Sequence, residues 1–325
     1  MNRRTLLMGV CAAGCGARGA RASAYPTHGI TLIVPFSPGS GVGIGAQALR
    51  PHLERALGQT VELQFSAGAG GAMGHLLGAS AAGDGYTVTM VSASLAVQRW
   101  LIKASTVGPD DFTFVGQVTS LPCVLLTRVE SAFETLAELV ATLRAGPESV
   151  STGELAGWPS PSLAQAVFAL QAGIKPRVVS SFYSGAELLE ALENGQLDIA
   201  MVGTQELRLP LAARRLKALG VTSHARVPIL PATPTFREQG WDVTNAWWRG
   251  LAVPRDTPEE IVGTLTAALD AALANPALHT DFARNGLSVD PLDGPTMSRR
   301  VYEEYQAIGR LFASLGINVR VRRPS

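Results

Sequence analysis

A chain of 325 residues, 46% hydrophobic and 16% charged, is long for one compact core and too apolar for a disordered polymer, so two globular lobes are expected. Lys and Arg number 27 against 26 Asp and Glu, but Arg3, Arg4, Arg18 and Arg21 fall in the first 24 positions, leaving 23 against 26, or about −3. No basic stripe remains to neutralise phosphates and aromatics are only 6%, which excludes nucleic acid as a partner.

In chain order, the first element is a targeting segment. Arg3 and Arg4 precede a short apolar core at 6–14 and the small-residue site Ala22-Ser23-Ala24, so residues 1–24 read as a signal peptide cleaved before Tyr25, and the protein as exported. That core is too short to span a bilayer, and no later stretch reaches the needed length without charges. The run Arg3-Arg4-Thr5-Leu6-Leu7 is similar to a twin-arginine signal, and Ala12-Ala13-Gly14-Cys15 to a weak lipid box that would tether the chain through Cys15. Simple cleavage after Ala24 is the preferred reading, because alanine is a poor first residue for a lipid box. Cys11 and Cys15 belong to this leader, which leaves Cys123 with no intrachain disulfide partner. It sits in the apolar run 122–127 and reads as a core residue rather than a nucleophile.

Short β-rich runs then alternate with helical stretches: strand 30–36, helix 45–57, strand 61–65, helix 72–82, strand 86–92. Such alternation predicts a parallel sheet with crossover helices, and the near-continuous Val, Ile and Leu predict that both sheet faces are covered. Two consecutive strands follow at 112–119 and 123–128. A second alternating block comes next: helix 134–144, strand at Val150, helix 162–173, strand 177–181, helix 186–194, strand 197–202, and a strand at 216–222. After a Pro-dotted stretch at 228–234, strand 247–253 is assigned back to the first lobe, followed by helices 258–274, 276–285 and 295–315. The expected fold is α/β, a two-lobed clamshell with a mainly parallel sheet in each lobe. Lobe 1 takes 25–122 plus 240–325, and lobe 2, at 123–239, is inserted between its halves.

Gly- and Ser-rich turns recur after these strands. In the first lobe they are Ser37-Pro38-Gly39-Ser40-Gly41-Val42-Gly43, Ala67-Gly68-Ala69-Gly70-Gly71 and Ser92-Ala93-Ser94. In the second they are Thr152-Gly153-Glu154 running to Ser160 and Ser162, Tyr183-Ser184-Gly185, and Gly203-Thr204-Gln205. Turns at the carboxyl ends of strands in an open α/β sheet are where ligands bind, and free N–H groups at helix starts hold an anion without Arg or Lys. A carboxylate suits them best, held between the two sets.

Ile33-Val34-Pro35-Phe36 with its Gly-rich sequel, Gly68-Ala69-Gly70-Gly71, Asp84-Gly85-Tyr86-Thr87, Asn194-Gly195-Gln196-Leu197-Asp198, Ala218 to Thr222-Ser223, Pro234-Thr235 before Gly240, and the strand from Trp247 to Pro254 follow one another in a specific order and spacing. Together they resemble the tripartite tricarboxylate transporter receptors, also called Bug proteins, over nearly all of the mature chain. The resemblance implies a periplasmic solute-binding protein with the type II periplasmic-binding-protein-like clamshell fold, without catalysis or cofactor. Its ligand, a di- or tricarboxylate, amino acid or aromatic carboxylate, would be gripped by backbone amides and ordered water and passed to membrane transporter subunits or a sensor. Carried over by position, the grip falls on Gly39, Ser40, Gly41 and Val42, and on Gly68, Ala69 and Gly70. Ser92 is added from the third first-lobe turn, with Ser160, Ser162, Tyr183, Ser184 and Thr204 from the second lobe. The family commonly has Thr-Asp where this chain has Val42-Gly43, and loss of that acceptor for an ammonium argues against an amino-acid ligand. Trp158, Pro159 and Pro161 stand where small hydroxyl residues are usual, which favours a narrower, more apolar cleft for a monocarboxylate or aromatic acid.

The alternative of another class is a dinucleotide-dependent oxidoreductase, because Gly41-Val42-Gly43-Ile44-Gly45-Ala46 satisfies a Gly-x-Gly-x-x-Ala pattern and Glu62 follows at about the ribose-binding distance. Glu62, however, lies inside its strand rather than at the carboxyl end. No Gly-x-Ser-x-Gly elbow occurs, and His28, His52, His75, His224 and His279 are too scattered to bind metal, with only His75 near a Gly-rich turn. The pairs Asp110-Asp111, Glu259-Glu260 and Glu303-Glu304 read as solvated, the second in the first turn of a helix after Pro258. Trp247 and Trp248 must point to opposite faces of one strand.

Overall fold

The computed structural model describes residues 25–102, 105–155, 160–182, 184–207 and 211–314. The leader, with Arg3, Arg4 and Cys15, lies outside the described residues, as do Trp158, Pro159 and Tyr183. The first sheet begins with β1 (Ile30–Val34), α1 (Gly41–Leu57), β2 (Val61–Phe65), α2 (Ala72–Ala79), β3 (Thr87–Ser92) and α3 (Ser94–Leu101). β1 pairs in parallel with β2 and β3, with Leu32 opposite Leu63 and Val88. The second unit holds α4 (Leu136–Ala145), β5 (Ser151–Leu155), α5 (Ser160–Ala172), β6 (Arg177–Phe182), α6 (Gly185–Glu193), β7 (Ile199–Gly203) and β8 (Leu216–Val221), with β5 parallel to β6 and β7. The chain is a two-lobed α/β protein, each lobe built on a parallel three-strand core.

Between these units runs β4 (Phe112–Arg128), one strand of 17 residues where the sequence suggests two. Its first half pairs antiparallel with β9 (Ala246–Pro254), which itself pairs antiparallel with β3. Its second half pairs antiparallel with β7 and β8. The exchange falls at Pro122, the last partner of β9 (opposite Ala246), and Cys123, opposite Gly203 of β7. Proline has no N–H for a ladder, so it fits the point where the strand drops one partner and takes another. The sequence shows the proline but not that the strand continues through it.

After β9 come α7 (Glu259–Leu273), α8 (Pro276–Arg284), the short β10 (Leu292–Asp293), which pairs with β4, and α9 (Gly294–Ser314). α1, α7 and α8 cover one face of the first sheet with Leu49, Leu269 and Phe282. The other face joins the second lobe in one apolar cluster that includes Phe114, Phe168, Trp248 and Phe312. Glu259 and Glu260 do occupy the first turn of α7. α1 starts at Gly41, four residues earlier than its apolar pattern suggests, because Ser40 caps it: its Oγ accepts the Gly43 N–H at 3.0 Å. α3 carries no side-chain cap, and tertiary packing holds it, with Trp100 and Tyr305 of α9 at a ring separation of 4.9 Å.

Candidate functional site

β3 ends at Ser92 opposite Arg249, and β9 then continues back to Ala246 opposite Pro122. β7 ends at Gly203 opposite Cys123. The carboxyl ends of both parallel cores therefore reach the stretch where β4 passes between the lobes, and the Gly- and Ser-rich turns gather there.

Three first-lobe turns converge. In the first, Ser40 Oγ also donates to the Ser37 carbonyl at 2.7 Å, fixing a tight entry into α1. The Gly41 and Val42 N–H groups precede the first intrahelical bond and remain for another acceptor. Gly41 is exposed, whereas the Val42 side chain is buried in the core, so only the Val42 backbone faces the site. In the second, residues 68–71 all have positive φ, including Ala69 at 46°. This positive-φ run, which glycine makes accessible, leaves the N–H groups of the exposed Gly68, Ala69 and Gly70 without backbone acceptors. The third meets them: a Cβ on Gly71 would stand 2.8 Å from the Phe36 ring and 3.2 Å from Ser94 Oγ, and Ser94 Oγ lies 3.0 Å from Ser92 Oγ. Gly39 stands apart, exposed, with nothing within 4 Å of a Cβ placed there.

The second lobe's hydroxyls are mostly engaged. Ser160 Oγ donates to the Ala246 carbonyl at 3.1 Å, tying the start of α5 to β9. Ser162 Oγ accepts the Leu155 N–H at 2.8 Å, and Ser184 caps α6 by accepting the Glu187 N–H. Thr152-Gly153-Glu154 lies within β5 rather than in a turn. Thr204 is buried and opens a short 3-10 turn, Thr204–Glu206, instead of a regular helix.

Arg249 of β9 is a polar residue beside these turns that the Gly- and Ser-rich pattern does not mark. Its neighbour Trp248 faces α9, where the indole Nε1 donates to Glu304, while Arg249 turns to the opposite face, under the first turns of α1. It is only 5% exposed, and Nε and Nη1 are enclosed without a partner. Burial lowers its pKa to about 10. A single cation in the apolar run Ala246-Trp247-Trp248-Arg249-Gly250-Leu251 was the available signal.

Several other polar residues depart from expectation. Asp110 and Asp111 are not free in solvent but grip Arg99 at 2.8 and 3.0 Å. The Glu304 carboxylate is half-buried rather than free in solvent, and burial raises its pKa. His75 is fully buried, with its pKa lowered by burial to about 4, and its Nδ1 donates to Gln98 Oε1 at 2.8 Å. Packing, not proton transfer, is its environment. Burial likewise holds the Cys123 thiol well above its usual range. Among the described residues no cluster of three or more His, Cys, Asp or Glu is placed to hold a metal ion. No single described helix is long and apolar enough to cross a membrane; α7 and α8 reach that length only as a pair bent by 71°.

Two lobes joined by a continuous strand, with open N–H turns collected at the crossing, define a solute-binding protein. The chain belongs to the tripartite tricarboxylate transporter receptor family, whose model matches residues 46–317. It is 31% identical to a protein of the tcbD-tcbE intergenic region of Pseudomonas sp. strain P51, over 85% of this chain and 83% of that one. It is 30% identical to BugT of Bordetella pertussis, over 88% and 89%. Among solved structures, a TctC solute-binding protein from Polaromonas superimposes with a TM-score of 0.84 at 24% identity, covering 89% of this chain and 99% of that one. MatC of Rhodopseudomonas palustris, with bound malate, gives 0.64 at 26% identity, over 88% and 99%. Family and fold are thus those of binding proteins rather than enzymes. The Gly-x-Gly-x-x-Ala pattern lies wholly within α1, and Glu62 is exposed within β2.

Proposed function

We propose that this chain is an exported, periplasmic receptor that captures a small carboxylate between its lobes and hands it to transporter subunits of the tripartite kind or to a sensor. The observation that carries this reading is the convergence of the 37–41, 67–71 and 92–94 turns around unbonded N–H groups at one helix start and one left-handed loop. Such groups concentrate positive potential without a mobile counter-charge, and a carboxylate accepts from several at once. The malate held by MatC supports the same class of ligand here. The grip is assigned to the backbone of Gly41, Val42, Gly68, Ala69 and Gly70 with the Ser92 hydroxyl. Ser40 shapes the first turn, and Ser160 and Ser162 hold the second lobe's side in place. Lobe limits of 25–122 plus 240–325 and 123–239 put the exchange of partners along β4 at the boundary. Closure on the ligand would favour the state in which both lobes touch it.

A thermal-shift series with succinate, malate, adipate, benzoate, aspartate and NAD tests this. A ligand that binds only the folded chain raises its melting temperature. Stabilisation by one or more carboxylates is expected. A shift with NAD and none with any acid would replace the receptor reading with the oxidoreductase.

A further inference from the structure

Arg249 is a cation that the fold encloses and leaves unanswered. Among the described residues no carboxylate stands within ion-pair distance of it, and no acceptor meets Nε or Nη1. Elsewhere the same protein answers its partly buried arginines: Arg99 has Asp110 and Asp111, and Arg300 donates to Gln117 and Ser120. Burying an unpaired charge is among the costliest arrangements a fold contains, and it persists where an external partner restores the balance. The position of the guanidinium names that partner. A Cβ on Gly41 would lie 2.7 Å from Nη2, and one on Gly45 3.8 Å from Cδ, so the side chain extends beneath α1 and its tip reaches the helix start. There it adds a full positive charge to the positive end of the helix dipole and the unbonded Gly41 and Val42 N–H groups. Cation and dipole repel each other until an anion sits between them.

We infer that Arg249 is a ligand-binding residue whose guanidinium pairs with the ligand carboxylate held at the start of α1, making the site selective for acids that carry no ammonium beside that carboxylate. This assignment rests on the receptor reading above and deepens it. A planar guanidinium matches a carboxylate in two parallel hydrogen bonds, and a lysine ammonium does not. An α-amino acid brings its ammonium next to the same carboxylate, where the buried arginine repels it, so succinate, malate, adipate or benzoate should be taken in preference to aspartate.

The test uses the purified chain and its Arg249→Met and Arg249→Lys variants, with affinities for succinate, malate, adipate, benzoate and aspartate measured by calorimetry and melting temperatures recorded in low-salt buffer without added acid. The acids that bind the parent should bind Arg249→Met at least about tenfold more weakly, with Arg249→Lys only partly restored. Without acid, Arg249→Met should melt at or above the parent temperature, because an unpaired buried charge has been replaced by an apolar chain of similar reach. Unchanged affinity in Arg249→Met, or aspartate as the tightest ligand of the parent, overturns the role of Arg249 and leaves the receptor reading intact. A variant that melts well below the parent without acid, at unchanged affinity, makes the arginine structural. A parent that binds none of the five acids overturns the carboxylate receptor itself and this assignment with it.

Discussion

Trp248 Nε1 donates to Glu304 Oε2 at 2.6 Å, joining β9, at the crossing between the lobes, to the C-terminal helix α9. Asn245 Nδ2 reaches the other oxygen at 3.4 Å and the Arg300 charge favours the carboxylate, so the indole supplies its short hydrogen bond. Trp248→Phe keeps most of the ring volume and removes the short bond from a half-buried carboxylate, and should cost about 1–3 kcal/mol of stability in urea unfolding. Trp248→Phe with Glu304→Gln should recover part of the loss; strictly additive losses would show that the bond contributes nothing.

His75 gives the protein an acid limit. Burial holds its pKa at about 4 against the ordinary 6.5, so the unfolded chain takes up a proton that the folded chain refuses. A depressed folded pKa makes its stabilising contribution complete above pH 6.5 and lost as pH falls toward 4, about 3 kcal/mol in all. Unfolding free energies measured across that window should fall less steeply in His75→Gln than in the parent. Parallel curves would contradict the assignment.

At Gly43 the backbone leaves no room. An added Cβ would meet the Ser37 carbonyl oxygen at 2.3 Å and that of Pro38 at 2.7 Å. Alanine in a helix ordinarily gains about 1 kcal/mol over glycine, but these neighbours are main chain and cannot swing aside. Gly43→Ala should therefore displace the 37–40 turn and weaken carboxylate binding about tenfold or more. Calorimetry on the folded variant measures this, and parent-like affinity would mean that the turn takes no part.

Ser40→Ala separates the cap from the site. Losing the bond to Gly43 N–H should cost about 1 kcal/mol of stability and fray the start of α1. Amide exchange across residues 41–44 should quicken, and carboxylate affinity should fall with it. Faster exchange at unchanged affinity would place the ligand elsewhere.

Gly41→Asp sets a carboxylate against the free N–H groups and within reach of Arg249 Nη2. From the sequence alone this change simply repels an anionic ligand. The position of Arg249 adds that the new side chain occupies the ligand's place, so binding should vanish while the melting temperature holds or rises. Retained binding in this variant would sink the anion-loop reading.

Much of this protein is legible in its sequence because the signals are local. Alternating β-rich and helical runs gave the parallel cores, the Gly- and Ser-rich turns marked the strand ends, and Glu259-Glu260 marked a helix start, each over a few adjacent residues. What only the tertiary structure decided depends on partners far along the chain. The ladder to β9, β7 and β8 makes one strand of residues 112–128, and Glu304 of α9 is taken out of bulk solvent by meeting Trp248 of β9. The hydroxyls of Ser160 and Ser162 look available in sequence and are engaged by the Ala246 carbonyl and by Leu155. Arg249 is the clearest case. An arginine within an apolar strand can reach solvent or pair with an acid, and the choice is fixed by α1, contributed by residues some 200 positions earlier, whose first turns fold over it and carry no acid.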